Sequence, residues 1–277
     1  MNTRAKVCVT DLDGTLLHSN RKLSEANRKT LEELGRMGIL RVLATGRSLW
    51  SLKRVISESD PFDYVIFATG AGIMHWPSQE LIFASDIHPP EIERVYKLLE
   101  ELDLDYMLHH PVPDTHYMDY REKHGGVDFW ERISYYKAFA RELDPAGIAE
   151  YQAATQFLAI AGQDREDIYL RIKQELSPMT VIRTTSPIDF ASLWIEIFAE
   201  GVNKGSSLSW LLDRFDLTYQ DCMVIGNDFN DLDMLDLVHH SYVTNNSAQY
   251  LLDRYTPVSH HDEDGFSEAV RHWLMTH

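Results

Sequence analysis

Hydrophobic and polar positions alternate along this chain between short apolar runs and longer helical stripes. Val7-Cys8-Val9-Thr10, Leu40-Arg41-Val42-Leu43-Ala44, Tyr64-Val65-Ile66-Phe67-Ala68, Asp221-Cys222-Met223-Val224-Ile225 and Tyr242-Val243-Thr244 read as buried strands. Between the first two, Ser24 is placed to cap a helix with Ala26, Leu31, Leu34 and Met37 at helical spacing and Gly38 closing it. Leu49 to Ile56 predicts a second helix, and Pro77-Ser78 a hairpin returning through Leu81-Ile82-Phe83. Strands alternating with helices predict an α/β fold with a doubly wound parallel sheet.

From about Asp86 the pattern changes. Pro89 and Pro90 open a helix through Leu99, and Tyr106 to His109 reads as a strand. A His- and Tyr-rich stretch, a helical segment near Val127 to Ala140, a strand at Gln156 to Ala161 and a helix at Arg165 to Leu176 follow. Thr180 to Arg183 and Leu193 to Ile197 are further strands. The expected division is therefore a core of residues 1–85 plus 190–277 and an inserted α+β domain at 86–189, the latter acting as a cap over a site at the first strand.

A length of 277 residues with 44% hydrophobic content suits two domains better than one. The formal charge of −17 disfavours nucleic acid or an anionic membrane as partner, so an anionic substrate needs local positive charge. Two cysteines inside apolar runs argue for reduced, buried thiols, and no apolar run approaches membrane-spanning length. A cytoplasmic protein is expected.

The chemistry gathers where strands stop. Asp11 and Asp13 follow the first strand, then Gly14 and Thr15. One carboxylate at a strand's carboxyl end can serve as nucleophile and its neighbour two residues on as general acid and base. Like charges ~4 Å apart repel by about 4 kcal/mol at an effective dielectric near 20, so a hard cation such as Mg²⁺ is expected between them and an anionic substrate. Thr45-Gly46-Arg47 offers a hydroxyl and backbone N–H groups at a strand end and helix start, an anion site in which Thr45 holds a phosphoryl oxygen. Arg47 either touches substrate or fixes the loop by a salt bridge.

Asp11-Leu12-Asp13-Gly14-Thr15 resembles the first motif of the haloacid dehalogenase superfamily, and Thr45-Gly46-Arg47 is similar to the second motif of its Cof-type branch. Glu196-Ile197 followed by Gly201-Val202-Asn203-Lys204-Gly205 resembles the third, and Gly226-Asn227-Asp228-Phe229-Asn230-Asp231 the fourth. The resemblance implies a Mg²⁺-dependent phosphatase with an aspartyl-phosphate intermediate. Asp11 is then the nucleophile, Asp13 the acid and base, and Thr45 and Lys204 stabilise charge on the transferring group. Asp11, Asp13, Asn227, Asp228 and Asp231 form the metal-side set. The family form has Asp where this chain has Asn227, so either the Asn227 amide oxygen or the adjacent Asp228 reaches the ion. Thr69 likewise stands where the family commonly carries Asn.

In the inserted domain, His109, His110, His116, Tyr117, Tyr120, Arg121 and His124 form the densest polar and aromatic cluster. Together with Gly46 and Arg47, Tyr120 and Arg121 are the candidate substrate contacts, and a sugar phosphate suits such groups. A metal-binding surface, an oligomer contact or a polar strand face is the competing reading of the same cluster. A phosphomutase of the same fold and a catalytically weak binding protein stay open beside the phosphatase.

Overall fold

The computed structural model describes residues 6–186, 188–189 and 191–276. Residues 1, 190 and 277, which bounded the expected domains, lie outside the described residues. The chain forms two compact units, one running up to Phe83 and resuming at Asn203, the other spanning Ala84–Val202.

The first unit is built on an eight-stranded sheet. Its order across the sheet is Thr256–Val258, His240–Thr244, Cys222–Gly226, Val7–Thr10, Leu40–Ala44, Tyr64–Phe67, Gly72–His75 and Glu80–Ala84. The first six pair in parallel, and Gly72–His75 turns back antiparallel on Tyr64–Phe67. Val7–Thr10 lies between Cys222–Gly226 and Leu40–Ala44, with Val7 registered on both Cys222 and Leu40. A strand with neighbours on both edges and elements on both faces has no solvent side, which accounts for its unbroken burial. The chain leaves it toward Leu40–Ala44 on one side and arrives at Cys222–Gly226 on the other. That reversal of strand order opens a crevice at the carboxyl ends of these strands, where ligands of doubly wound sheets bind.

Helices tie this sheet to the loops above it. Helix Lys204–Arg214 packs Leu208, Leu211 and Leu212 into the core with Val9, Val42 and Val224, each such side chain contributing roughly 1.5–3 kcal/mol of burial. Helix Glu25–Arg36 is capped by Ser24, whose Oγ accepts the Asn27 N–H at 3.0 Å. Of its expected apolar face, Leu31 and Leu34 are buried, whereas Ala26 is exposed and Met37 lies just past the helix at 58% exposure. Asn27 takes the inward position instead, donating to Leu16 O at 3.0 Å and accepting from Ser267 Oγ at 2.7 Å. The helix expected over Leu49 to Ile56 is a single turn, Leu49–Leu52.

The second unit carries a six-stranded sheet ordered Met179–Thr185, Leu193–Glu200, Gln156–Ala161, Asp105–His109, Met118–Arg121 and Ala140–Glu142. Helices Pro89–Glu101 and Glu166–Glu175 bury Ile92, Val95, Ile168 and Ile172 against Tyr106, Phe157, Ile195 and Ile197. This corrects the expected division at residue 190. Leu193–Glu200 pairs with Gln156–Ala161 and Met179–Thr185, and its alternate residues complete this unit's core, so the boundary falls after Val202. The helix expected to reach Ala140 stops at Tyr135, because Ala140–Glu142 pairs with Met118–Arg121. Among the described residues no helix is long and apolar enough to cross a membrane.

Candidate active site

Asp11 is still held in sheet register when the first strand ends: its N–H donates to Ile225 O at 2.9 Å, and it is 6% exposed. The chain then folds back, with the Leu16 and Leu17 amides both bonded to Leu12 O. Gly14 allows this turn at φ +74°, and a Cβ there would stand 2.5 Å from the Asn227 amide. Its carbonyl accepts from Thr244 Oγ1 at 3.0 Å and Asn246 Nδ2 at 2.9 Å. Of the two adjacent asparagines in that loop, Asn245 is exposed and Asn246 turns inward to Gly14, a choice that no residue pattern states.

Lys204, the first residue of its helix, reaches the same place fully buried. Its Nζ donates to Asp11 Oδ1 and to Asp231 Oδ1, both at 2.7 Å. Asn203 makes this possible by capping the helix, accepting the Ser206 N–H at 2.7 Å, so that the lysine enters the crevice from a fixed start. Burial works against the ammonium, and Asp11 and Asp231 outweigh it, holding Lys204 above the usual lysine range. Burial pushes the Asp11 carboxyl up to about 7 against the pull of Lys204, with Asp231 and Asp13 adding to the rise. Asp231 spends its other oxygen on backbone, accepting the Asn227 N–H at 2.8 Å and the Asp228 N–H at 3.1 Å. One buried carboxylate thus ties Lys204 to the loop after Gly226.

That loop turns the Asn227 side chain toward the first-strand aspartates. The inner end of its amide lies 3.0 Å from Asp13 O, 3.0 Å from Thr15 Oγ1 and 3.2 Å from Asp11 Oδ2. Asp228 Oδ1 accepts the Phe229 N–H at 2.7 Å, as a local cap. Octahedral Mg²⁺ with ligands at about 2.0–2.1 Å has neighbouring ligands about 2.8–3.0 Å apart. Asp11 Oδ2, Asp13 O and the Asn227 amide oxygen are the hard oxygen donors such an ion takes, and the amide end stands 3.0 Å from Asp13 O and 3.2 Å from Asp11 Oδ2, close to that spacing.

The loop after Leu40–Ala44 joins through Arg47, which grips the Asp13 carboxylate with two nitrogens and anchors Nη1 on Ser51 Oγ at 2.9 Å. Thr45 is buried, and its Oγ1 accepts the Arg47 N–H at 3.1 Å. Gly46 is exposed, and a Cβ on it would stand 3.4 Å from Thr69 Oγ1 and 3.7 Å from Asn230 Nδ2. Thr69 is buried at φ +55°, between Ala68 at +47° and Gly70 at +108°. Three successive residues in this region are strained for the two that carry a Cβ. The turn is held by Ala68 N–H to Arg47 O at 2.9 Å, Thr69 N–H to Thr45 O at 3.1 Å and Ser207 Oγ to Gly70 O at 2.6 Å.

The structure thus connects Asp11, Asp13, Arg47, Lys204, Asn227 and Asp231 through side-chain contacts. Tyr120 and Arg121 have other partners, within the second unit. Arg121 Nε pairs with Glu100 Oε1 at 3.3 Å, and Glu100 also accepts from Lys123 Nζ and Tyr106 OH, both at 2.9 Å. Tyr120 packs edge-on against Phe129 and Trp130. His109 is buried with Nδ1 2.7 Å from Thr115 O, and burial followed by the Arg132 charge lowers its pKa to about 3. His124 Nε2 lies 2.8 Å from Asp103 O.

Residues 8–270 match the family of haloacid dehalogenase-like hydrolases. The chain belongs to that family. Among relatives, the HMP-PP phosphatase of Cronobacter sakazakii is 28% identical over 277 residues, covering 98% of this chain and 96% of the relative. The 5-amino-6-(5-phospho-D-ribitylamino)uracil phosphatase YcsE of Bacillus subtilis is 25% identical over 281 residues, covering 98% and 96%. In fold, the chain is similar to BT1666 from Bacteroides thetaiotaomicron, with a TM-score of 0.81 at 20% identity over 99% of this chain and 96% of that one. The subclass IIB sugar phosphatase BT4131 gives a TM-score of 0.78 at 16% identity over 98% and 100%. The doubly wound core with an inserted α+β unit and the Cof-type resemblance both stand with these findings, and the protein is a hydrolase of the phosphatase kind within this family.

Proposed function

We propose that this haloacid dehalogenase-like protein is a Mg²⁺-dependent phosphomonoester hydrolase that works through an aspartyl phosphate on Asp11. The observation that carries the reading is the division of Asp11 between two partners. Its Oδ1 is bound by buried Lys204, while Oδ2 faces Asp13 O and the Asn227 amide. A nucleophile held in this way has one fixed direction of attack.

In the proposed reaction a carboxylate oxygen of Asp11 attacks phosphorus in line as the bond to the leaving oxygen breaks. Asp13, oriented by Arg47, gives that oxygen its proton. Asp13 then takes a proton from water, the water oxygen attacks the phosphorus of the aspartyl phosphate, and inorganic phosphate leaves with Asp11 restored. Lys204 offsets the charge of Asp11 and of the phosphoryl group, and Thr45 with the backbone N–H of Gly46 holds its oxygens. Mg²⁺, held by Asp11, Asp13 O and Asn227, would supply charge neutralisation at the phosphoryl oxygens. Asp231 acts from behind by fixing Lys204 and the Asn227 loop.

The substrate proposed is a small phosphorylated metabolite such as a sugar phosphate. The names of the relatives support that size class: one is a phosphatase of HMP-PP, one of 5-amino-6-(5-phospho-D-ribitylamino)uracil, and one structural neighbour is a sugar phosphatase. Choice among such esters is assigned to the inserted unit. A cytoplasmic setting agrees with the two free buried cysteines, Cys8 and Cys222. Turnover of a generic aryl phosphate with Mg²⁺ and with chelator tests the reaction, and a panel of sugar phosphates, nucleotides and phosphorylated acids tests the substrate class. Equal turnover in chelator would remove the metal from the account.

A further inference from the structure

Asn227 is the one metal-side residue here whose two ends are chemically opposite. An amide presents an oxygen acceptor and a nitrogen donor of nearly the same shape, and half a turn about its last side-chain bond exchanges them. The inner end meets Asp13 O and Asp11 Oδ2, which as a carbonyl and a carboxylate only accept, and Thr15 Oγ1, which can do either. With nitrogen inward, the two amide hydrogens satisfy the two acceptors. With oxygen inward, it accepts from Thr15 Oγ1 at 3.0 Å while the oxygens of Asp11 and Asp13 face it without a donor, and that convergence is favourable when the three share a cation.

We infer that Asn227 is a two-way latch at the metal site. Nitrogen inward, it ties Asp11 Oδ2 to the Asp13 carbonyl and keeps the loops assembled while no cation is held. Oxygen inward, it is a neutral ligand. This rests on the Mg²⁺ reading above and adds to it a property of this chain's own residue. The backbone has no need to move, because the Asn227 N–H stays on Asp231 Oδ2 at 2.8 Å in either orientation. Gly14 leaves the amide its room, as a Cβ there would come within 2.5 Å of it. A carboxylate at 227 has no donor end. It would be repelled by Asp11 in the cation-free site and would bind a cation with one more negative charge. The latch therefore stabilises the cation-free site and weakens cation binding, since the inward hydrogen bonds must be broken first.

The test uses the full chain, with Mg²⁺ as the probe. Heteronuclear NMR of the Asn227 side-chain amide, assigned through its own backbone, is followed from chelator to saturating Mg²⁺, and binding is measured by calorimetry for wild type and Asn227→Asp. The inference expects amide hydrogens protected from exchange in chelator and a clear shift of their resonances on Mg²⁺ binding. It also expects Asn227→Asp to bind Mg²⁺ at least about tenfold more tightly. In chelator the variant should melt at least roughly 2–4 °C below wild type, and Mg²⁺ should raise its melting temperature by more. If Mg²⁺ binds but the amide resonances stay put and the two affinities agree, the latch is wrong while the metal reading survives. If neither protein binds Mg²⁺, the metal reading fails and the latch with it. Should the variant fail to fold, the wild-type NMR titration alone decides.

Discussion

Arg47 holds Asp13 by two nearly parallel bonds, Nε to Oδ2 at 2.6 Å and Nη2 to Oδ1 at 2.7 Å. The Asp13 side chain is 49% exposed, so nothing like burial fixes its orientation, and the forked guanidinium does so instead. Of the two roles expected for Arg47, this contact supports the loop-fixing one. Arg47→Ala should lower kcat by about 10- to 100-fold with little change in KM, because a misplaced acid slows the chemical step. Arg47→Lys keeps the charge without the fork and should fall between. Thermal stability should change little, as partly exposed pairs contribute at most about 1 kcal/mol. A rise in KM at constant kcat would instead make Arg47 a substrate ligand.

Lys204 tests the buried part of the site. Lys204→Met leaves Asp11 and Asp231 facing each other without a cation and should cost about 3–5 kcal/mol of stability in denaturant unfolding, together with all measurable turnover. Adding Asp231→Asn removes one of the two stranded charges and should recover part of the stability but none of the activity. Full recovery of activity in the double variant would show that the ammonium has no part in the reaction.

Asp11 predicts a pH dependence. Its folded value of about 7 lies above the unfolded carboxyl value of about 3.9, so the folded state binds the proton more tightly. The stabilisation is complete below about pH 4 and is lost as the pH rises through about 7. In chelator, the melting temperature of wild type should fall across that window relative to Asp11→Asn. Parallel curves for the two proteins would contradict the raised value.

Asp119 makes a structural prediction for the second unit. It is buried and bonded to Arg141 and Tyr151, with His110 Nε2 at 3.3 Å. Burial alone would raise its pKa; His110, Arg141 and Tyr151 outweigh that and hold it well below the usual carboxylate range. Because the Arg141 side chain is 70% exposed and keeps its solvation, Asp119→Ala should cost mainly the lost charge-assisted hydrogen bonds, about 1–3 kcal/mol in urea unfolding. An unchanged midpoint would mean that the network contributes nothing net.

What the sequence made legible was whatever is local. Strand ends carrying Asp11, Thr45 and Asn227 follow from apolar runs that stop at polar residues, and each such run is a strand here, while Lys204 opens the helix after Leu193–Glu200. Partnership across the chain was not legible. Leu193–Glu200 has the same apolar character as a core strand, and only its pairing with Gln156–Ala161 assigns it to the second unit. The direction of Asn227 depends on Asp231 capturing two successive backbone N–H groups, which no spacing rule states. Arg121 lay in a dense polar cluster, but its partner Glu100 sits 21 residues earlier on a helix. Density of His and Tyr describes composition and leaves open which groups are already spoken for.

A covalent intermediate at Asp11 is the central step of the proposed reaction. Asp13→Asn removes the base for the second step while leaving Asp11 able to attack a substrate with a good leaving group. Incubated with an aryl phosphate and Mg²⁺, quenched in acid and digested, this variant should carry one phosphoryl group on the peptide that contains Asp11, with one equivalent of phenolate released in a burst. Asp11→Asn under the same conditions should carry none. A phosphoryl group on any other residue, or steady turnover by Asp11→Asn near the wild-type rate, would contradict the mechanism.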